Sequence, residues 1–92
     1  MNVIVVDDEP LALKRVLSQL EKLELVTDAQ GFDTGAAALD YLQAHSADVA
    51  LLDINLCGVT GLELAKRAKA LCPRLAVIFL TGYGEYALDA FK

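Results

Sequence analysis

The sequence predicts an α/β protein built on a doubly wound parallel sheet. Short apolar runs alternate along the chain with longer segments of helical periodicity, and no internal repeat interrupts this order. Three of the four apolar runs are continuously hydrophobic, as strands buried on both faces of a parallel sheet are. The remaining run alternates apolar and polar residues, which predicts a strand at the edge of the sheet.

The first half of the chain predicts two strands and two helices. Asn2–Val6 (NVIVV) is the first strand, and Pro10 then begins a helix. Four apolar side chains of that helix recur at helical spacing: Leu13, Val16, Leu17 and Leu20. Residues 25–29 (LVTDA) are the predicted edge strand, and residues 31–35 (GFDTG) a loop. Residues 36–44 (AAALDYLQA) are a second helix with three apolar anchors: Leu39, Tyr41 and Leu42.

The second half predicts two further strands, each followed by a helix. Residues 48–52 (DVALL) are the third strand, and Thr60 and Glu63 match the capping-box pattern that begins a third helix. Four apolar side chains of this helix are expected to point inward: Leu64, Ala65, Ala68 and Leu71. Pro73 ends the helix. Residues 75–80 (LAVIFL) are the fourth and most hydrophobic strand, and residues 83–92 begin a fourth helix.

Size, charge and cysteine content exclude several classes of protein. A chain of 92 residues is at most one small domain. Its net charge of −5 argues against this segment binding a nucleic-acid backbone by itself. No apolar run approaches the roughly 20 residues that span a bilayer, and an N-terminus with two early aspartates is not a signal peptide. Cys57 and Cys72 lack metal-ligand spacing, so we expect reduced thiols in a cytoplasmic protein.

Polar side chains follow three strands of the predicted sheet. Asp7 and Asp8 come after the first strand, Asp53 after the third and Thr81 after the fourth. In doubly wound sheets ligands bind at the carboxyl ends of the strands, and neighbouring strands lie about 4.8 Å apart. Crowded carboxylates repel one another unless a cation lies between them, and a small set of oxygen ligands suits Mg²⁺. We therefore predict a Mg²⁺ site here, to which Asn55 adds its backbone carbonyl.

Asp53 is also the candidate nucleophile, because a carboxylate can attack a phosphoryl group to give an aspartyl phosphate. The Thr81 hydroxyl and the Gly82 backbone N–H are candidate donors to the phosphoryl oxygens. Each acid alone has a simpler explanation. Asp7 and Asp8 would favour the positive end of the first helix dipole, as would Glu9, and Asp53 would be a solvated strand end. The occurrence of these side chains together, at successive strand ends, favours a functional site.

These motifs resemble the receiver domain of two-component response regulators, over essentially the whole chain. VVDDE, LLDINL-x-G-x-x-G and FLTGYGEYALDAF stand where that family carries its acidic pair, its phosphoacceptor and its switch threonine. The resemblance implies that Asp7 and Asp8 are the acidic pair, with Asp8 a direct Mg²⁺ ligand. It implies that Asp53 is the phosphoacceptor, that the Asn55 carbonyl completes the metal site, and that Thr81 is the switch hydroxyl.

The same resemblance implies a flavodoxin-like sheet of strand order 2-1-3-4. The family continues with a fifth strand, which ends on a lysine, and a fifth helix. We therefore expect residues 1–92 to be a receiver domain truncated within or after the fourth helix. Cys57 stands where the family usually has a proline. The sequence near residues 83–91 is similar to regulators whose output is a LytTR-type DNA-binding domain.

The resemblance implies a signalling function. A sensor histidine kinase or a phosphotransfer protein would donate a phosphoryl group to Asp53 with Mg²⁺, and the domain would control transcription without being an enzyme beyond this self-phosphorylation and slow dephosphorylation. One alternative is a Mg²⁺-dependent phosphohydrolase, although Asn55 stands where such enzymes place a second acid. Another is a non-phosphorylating interaction module. We expect no membrane contact, and self-association through the exposed sheet edge and the first helix.

Overall fold

Four parallel strands and three helices form the part of the chain that is described. The structure, a computed structural model, describes residues 1–54 and 60–80. The strands are β1 Asn2–Val6, β2 Asp28–Phe32, β3 Val49–Asp53 and β4 Ala76–Leu80, and the helices are α1 Pro10–Leu20, α2 Gly35–Ala44 and α3 Gly61–Leu71. The strands pair in the order β2-β1-β3-β4. This order confirms the predicted α/β fold class. No described helix is long and apolar enough to cross a membrane.

The helices divide between the two faces of the sheet. Val3 and Val5 of β1 point to the side covered by α1, which we call the α1 face. Ile4 and Val6 point to the opposite side, the α2–α3 face, which both remaining helices cover. This division follows from the alternation of side chains along a strand. Residues 3 to 6 are at most 3% exposed, so β1 is the central strand that the sequence pattern requires.

The edge position of the second strand is confirmed, but its predicted bounds are wrong. The alternation of residues 25–29 suggested the strand, whereas β2 spans Asp28–Phe32 and includes two residues assigned to a loop. Backbone pairing with β1 decides the position, since Asn2 lies opposite Asp28 and Val6 opposite Phe32. Leu25, taken as part of the strand, is 74% exposed in the turn that follows α1.

The third helix begins as predicted, with one error at its end. The Thr60 Oγ1 accepts a hydrogen bond of 3.1 Å from the Glu63 N–H, which is half of the predicted capping box. The Glu63 carboxylate pairs with Arg67, at 3.3 Å, one turn further along the helix. Leu64 and Ala68 are buried, and Ala65 is partly buried against them. Leu71, the last residue of the helix, is 43% exposed, so the prediction that it points inward is wrong.

The bounds predicted for the other helices and strands lie within one residue of those in the structure, where the structure describes them. The helix α2 begins one residue earlier than predicted, and its expected anchors are buried or packed against the core of the α2–α3 face: Leu39, Tyr41 and Leu42. The strand β3 extends one residue further than predicted, to Asp53, and β4 begins one residue later. Cys72 is a free thiol, as expected. Cys57 and the predicted helix of residues 83–92 lie outside the described residues.

Leu52 tests the core of the α2–α3 face. The side chain is 1% exposed, so Leu52→Ala is expected to lower the free energy of unfolding by about 2–5 kcal/mol through lost burial and a residual cavity. Leu25→Ala is the matched control, and it is expected to change stability by less than about 0.5 kcal/mol because that side chain is already in water. Equilibrium urea unfolding followed by circular dichroism measures both. Equal losses in the two variants would contradict this account of the core.

Candidate functional site

The register of two central strands brings the predicted acids together. Val6 of β1 lies opposite Leu52 of β3, so the next residues, Asp7 and Asp53, leave the same edge of the sheet side by side. The Asp7 N–H remains in the sheet pattern and donates to the Phe32 carbonyl at 3.1 Å. Both carboxylates are therefore attached to backbone that the sheet holds in place, rather than to a free loop.

Asp7, Asp8 and Asp53 form a compact cluster of acids. Each offers a carboxylate oxygen, and these oxygens all lie within 4.8 Å of one another. Asp7 is buried, with 8% of its surface exposed, while Asp53 is half-buried and Asp8 is exposed. Three like charges at this spacing repel one another, and the repulsion grows as water is excluded. The arrangement therefore favours a bound cation, reached from the solvent on the side of Asp8.

The turn between β1 and α1 holds the buried acid in place. The Asp7 Oδ1 accepts a hydrogen bond of 2.9 Å from the Glu9 N–H. Glu9 is the N-cap residue of α1, as its predicted place at the helix N-terminus requires, but its own side chain makes no capping hydrogen bond. Pro10 follows in the first turn, where its missing N–H costs nothing. The Asp7 carboxylate thus satisfies one backbone donor near the helix N-terminus while it faces the other two acids.

The donor set fits Mg²⁺ in kind and nearly in spacing. All three ligands are carboxylate oxygens, which hard cations prefer. Two oxygens bound to one Mg²⁺ are at most about 4.2 Å apart, because each lies about 2.1 Å from the ion. Oxygens within 4.8 Å of one another reach that geometry by small side-chain rotations, or bind through a retained water. Asp7, Asp8 and Asp53 are accordingly the described residues that could hold the ion.

A cleft opens beside the acids, between α1 and the ends of β3 and β4. Its volume is about 280 Å³, and its walls combine acidic, basic and apolar side chains: Asp7, Glu9, Ala12, Arg15, Val16, Asp53 and Leu80. A small anionic group therefore has space next to Asp53. Sequence reasoning placed the acids here but missed Arg15. The available signal was its spacing of three residues from Ala12, which puts both on one face of α1.

Gly61 fixes the approach of α3 to Asp53. The Gly61 N–H donates to the Ile54 carbonyl at 3.0 Å, so the chain returns to the end of β3 as the helix begins. A Cβ at residue 61 would lie 2.6 Å from the Asp53 carbonyl oxygen and 2.9 Å from the Ile54 Cα. Both are backbone atoms, which have little room to move. No sequence pattern indicated this contact, since it depends on where two elements meet.

The structure brings together some of the predicted site residues. Asp7, Asp8 and Asp53 are adjacent, as their places at strand ends predicted. Asn55, Thr81 and Gly82 lie outside the described residues, so their predicted roles stay predictions. His45 is an exposed residue at the end of α2, with its ring stacked on Tyr41.

Comparison with known proteins gives concordant results. The family model of the response regulator receiver domain matches residues 3–92. The chain is 41% identical to the positive alginate biosynthesis regulatory protein of Pseudomonas aeruginosa and 34% identical to the sensory transduction protein LytT of Enterococcus faecalis. Both matches cover 100% of this chain but only 38% of the relative. The isolated REC domain of RcsB from Salmonella enterica serovar Typhimurium, solved with phosphomimetic BeF₃⁻, superimposes with a TM-score of 0.81 at 32% identity, covering 99% of this chain and 69% of that one.

Gly61→Ala tests whether close backbone contact positions the acid. The added methyl group would force Asp53 and Ile54 to shift, so we expect a loss of about 1–3 kcal/mol in the free energy of unfolding. We also expect Mg²⁺ affinity to fall by about tenfold, because the ligands no longer converge. Isothermal titration calorimetry and urea unfolding measure the two effects.

Gly31→Ala is the matched control for this change. Its Cβ would meet the Leu17 Cδ1 at 2.7 Å and the Leu13 Cδ1 at 3.1 Å, which are the ends of flexible side chains. We expect this variant to keep the Mg²⁺ affinity of the wild type. Unchanged Mg²⁺ binding in Gly61→Ala would show that the contact has no influence on the acids.

Proposed function

The chain belongs to the response regulator receiver domain family, and we propose that it takes a phosphoryl group onto Asp53 with the help of Mg²⁺. Domains of this family belong to two-component signalling and are not dedicated enzymes, and a phosphoacceptor role fits the family. The observation that supports Asp53 is its place in the cluster with Asp7 and Asp8, at the mouth of a cleft. Family membership also confirms the resemblance on which the predicted function rested.

The chemistry proposed for Asp53 is a single displacement at phosphorus. A carboxylate oxygen of Asp53 attacks the phosphorus and forms the new P–O bond, while the bond from phosphorus to the donor breaks. With a phosphohistidine donor the released ring nitrogen takes a proton, and with acetyl phosphate the leaving group is acetate. Bound Mg²⁺ supplies charge neutralisation for the phosphoryl oxygens. Asp7 and Asp8 would hold the ion beside Asp53, next to the carboxylate oxygen that attacks the phosphoryl group.

Three further residues, which lie outside the described part of the chain, enter the proposal. The Asn55 backbone carbonyl would complete the metal ligands, and Thr81 and the Gly82 N–H would donate hydrogen bonds to the phosphoryl oxygens. Their support is the family motif at those positions and the placement of β3 and β4 as neighbours. The predicted truncation within or after a fourth helix likewise stays a prediction.

The proposed phosphodonor is a sensor histidine kinase or a phosphotransfer protein that docks over α1. Family membership supports this class of partner. Leu11, in the first turn of α1, is 71% exposed and lies three residues after Asp8. An apolar side chain beside the exposed acid would let a partner's surface pack there while its phosphoryl group reaches the cleft.

The proposed output is control of transcription by the protein to which this chain contributes. The chain spans 38% of the length of the two curated relatives, so the remainder of those proteins has no counterpart in it. One of them is a positive regulatory protein of alginate biosynthesis, and RcsB has been solved as a DNA complex. A net charge of −5 argues against this segment binding a nucleic-acid backbone, which supports DNA contact through another part of the protein. A cytoplasmic location stays a prediction.

Acetyl phosphate tests the phosphoacceptor directly. The protein is incubated with Mg²⁺ and this small donor, and the intact mass is measured. We expect one phosphoryl adduct, stable in acid and labile in base as an acyl phosphate is, and we expect Asp53→Asn to lose it. Asp40→Asn, a change at an exposed acid of α2, is expected to keep the adduct.

Other outcomes of this experiment distinguish the rival functions. A folded, Mg²⁺-binding protein without an adduct would favour a non-phosphorylating interaction module. Rapid, repeated release of phosphate from varied monoesters would indicate a phosphohydrolase. An adduct that persists in Asp53→Asn would place the phosphoryl group on another residue and overturn the proposal.

We also propose that the domain self-associates through the exposed sheet edge and α1. Within the described residues β4 pairs only with β3, so no described strand covers its outer edge. On the α1 face, α1 packs over β1 and β2, while Leu51 and Leu80 remain half-buried. RcsB, a related structure, has been solved as dimers on DNA. An apolar edge next to an incompletely covered face supports pairing of two copies.

Sedimentation velocity over a range of concentrations tests this pairing. We expect the apparent mass to rise with concentration, and Ile78→Lys to prevent the rise by placing a charge on β4, as natural edge strands do. Leu25→Lys puts the same charge on an exposed turn away from this edge and is expected to associate like the wild type. A compact monomer at every concentration of the wild type would rule the pairing out.

A further inference from the structure

The wall of the acidic cleft contains one basic side chain, Arg15. It lines the same cavity as Asp7 and Asp53, and it projects from α1 together with Ala12 and Val16. Residues at spacings of three and four share one face of a helix, so Arg15 belongs to the stripe of α1 that borders the cleft. Among the described residues that line this cavity, no other carries a positive charge.

The other basic residues of α1 and α3 lie on surfaces away from this cleft. Lys14 lines a cavity of about 550 Å³ between α1 and β2, which contains none of the three clustered acids. Lys66 and Lys69 line a cavity on the α2–α3 face, and Lys69 donates to the Leu75 carbonyl at 2.9 Å. Arg67 pairs with Glu63 on the surface. The charge of Arg15 is therefore specific to the acidic cleft within the described part of the chain.

A cation in this position has opposite effects on the two species that share the cleft. It repels a divalent cation held by Asp7, Asp8 and Asp53, and it attracts the phosphoryl oxygens of an incoming donor. A guanidinium is permanently charged and forms planar, paired hydrogen bonds to phosphate oxygens, which suits this second task. A cleft lined only by acids would bind Mg²⁺ more tightly but would repel an anionic donor.

We propose that Arg15 is a positioning residue that draws the anionic phosphodonor into the cleft, at the expense of Mg²⁺ affinity. The inference rests on the proposed phosphoacceptor function of Asp53. It adds a determinant outside the strand-end acids, on the helix that forms the opposite wall of the cleft. It also gives a role to a basic residue of α1 that lies along a cavity containing Asp53.

The test compares Arg15→Gln, Arg15→Lys and Lys14→Gln in two measurements. Mg²⁺ affinity is measured by isothermal titration calorimetry, and the rate of phosphorylation by acetyl phosphate is measured at saturating Mg²⁺ by intact mass. Arg15→Gln is expected to bind Mg²⁺ about two- to fivefold more tightly, because a nearby positive charge is gone. Its phosphorylation is expected to be about three- to tenfold slower, because the donor loses a cationic partner. Arg15→Lys is expected to have the Mg²⁺ affinity of the wild type and most of its rate of phosphorylation.

Lys14→Gln removes the same charge from the adjacent position and is expected to leave both values within about a factor of 1.5 of the wild type. Raising the salt concentration should narrow the difference between Arg15→Gln and wild type, since the effect is electrostatic. Losses in both Mg²⁺ affinity and rate would indicate simple damage to the site and overturn the proposal, as would no change in either value. Wild type that binds Mg²⁺ but accepts no phosphoryl group would instead refute the proposed function, whatever Arg15 does to affinity.

Discussion

The parallel pairing of β1 with β3 is the constraint on which the candidate site depends. Val6 opposite Leu52 forces Asp7 and Asp53 to leave the sheet at the same edge, although they are far apart in the chain. The register is fixed because residues 3 to 6 are buried on both faces, so a slip by one residue would bring a polar neighbour, Asn2 or Asp7, into the buried stretch. Packing of the core therefore fixes the position of the acids. The stability of the core keeps them close together despite their mutual repulsion.

One hydrogen bond and one glycine complete the geometry around these acids. The Asp7 carboxylate is held by the Glu9 N–H at the start of α1, and Gly61 allows the start of α3 to touch the Asp53 backbone. Two helices therefore begin at the same edge as the acids, as doubly wound sheets arrange their binding sites. The cleft between α1 and the ends of β3 and β4 results from this arrangement, and Arg15 enters it from the helix wall.

The site contains charges of both signs, which the net charge of the chain does not show. An overall charge of −5 argues against binding of a nucleic-acid backbone by this segment, yet the proposed function requires the acidic cleft to admit a phosphoryl group. A divalent cation among Asp7, Asp8 and Asp53 and a guanidinium across the cleft would each offset part of the local negative charge. Local arrangement, and not the total, decides which ions approach Asp53.

The sequence by itself determined the fold class and the three acids, because buried parallel strands appear as apolar runs and polar residues follow their ends. The strand order, which the structure confirms, was implied by the resemblance to the receiver family. The sequence pattern misplaced β2 by three residues, since side-chain alternation is weak in an edge strand and backbone pairing to Asn2–Val6 decided its bounds. The sequence pattern also predicted, wrongly, that Leu71 points inward, because helical spacing alone allows that position. Only the tertiary structure revealed the contact of Gly61 with Asp53 and the place of Arg15 beside it, because both depend on distances between elements that no local pattern encodes.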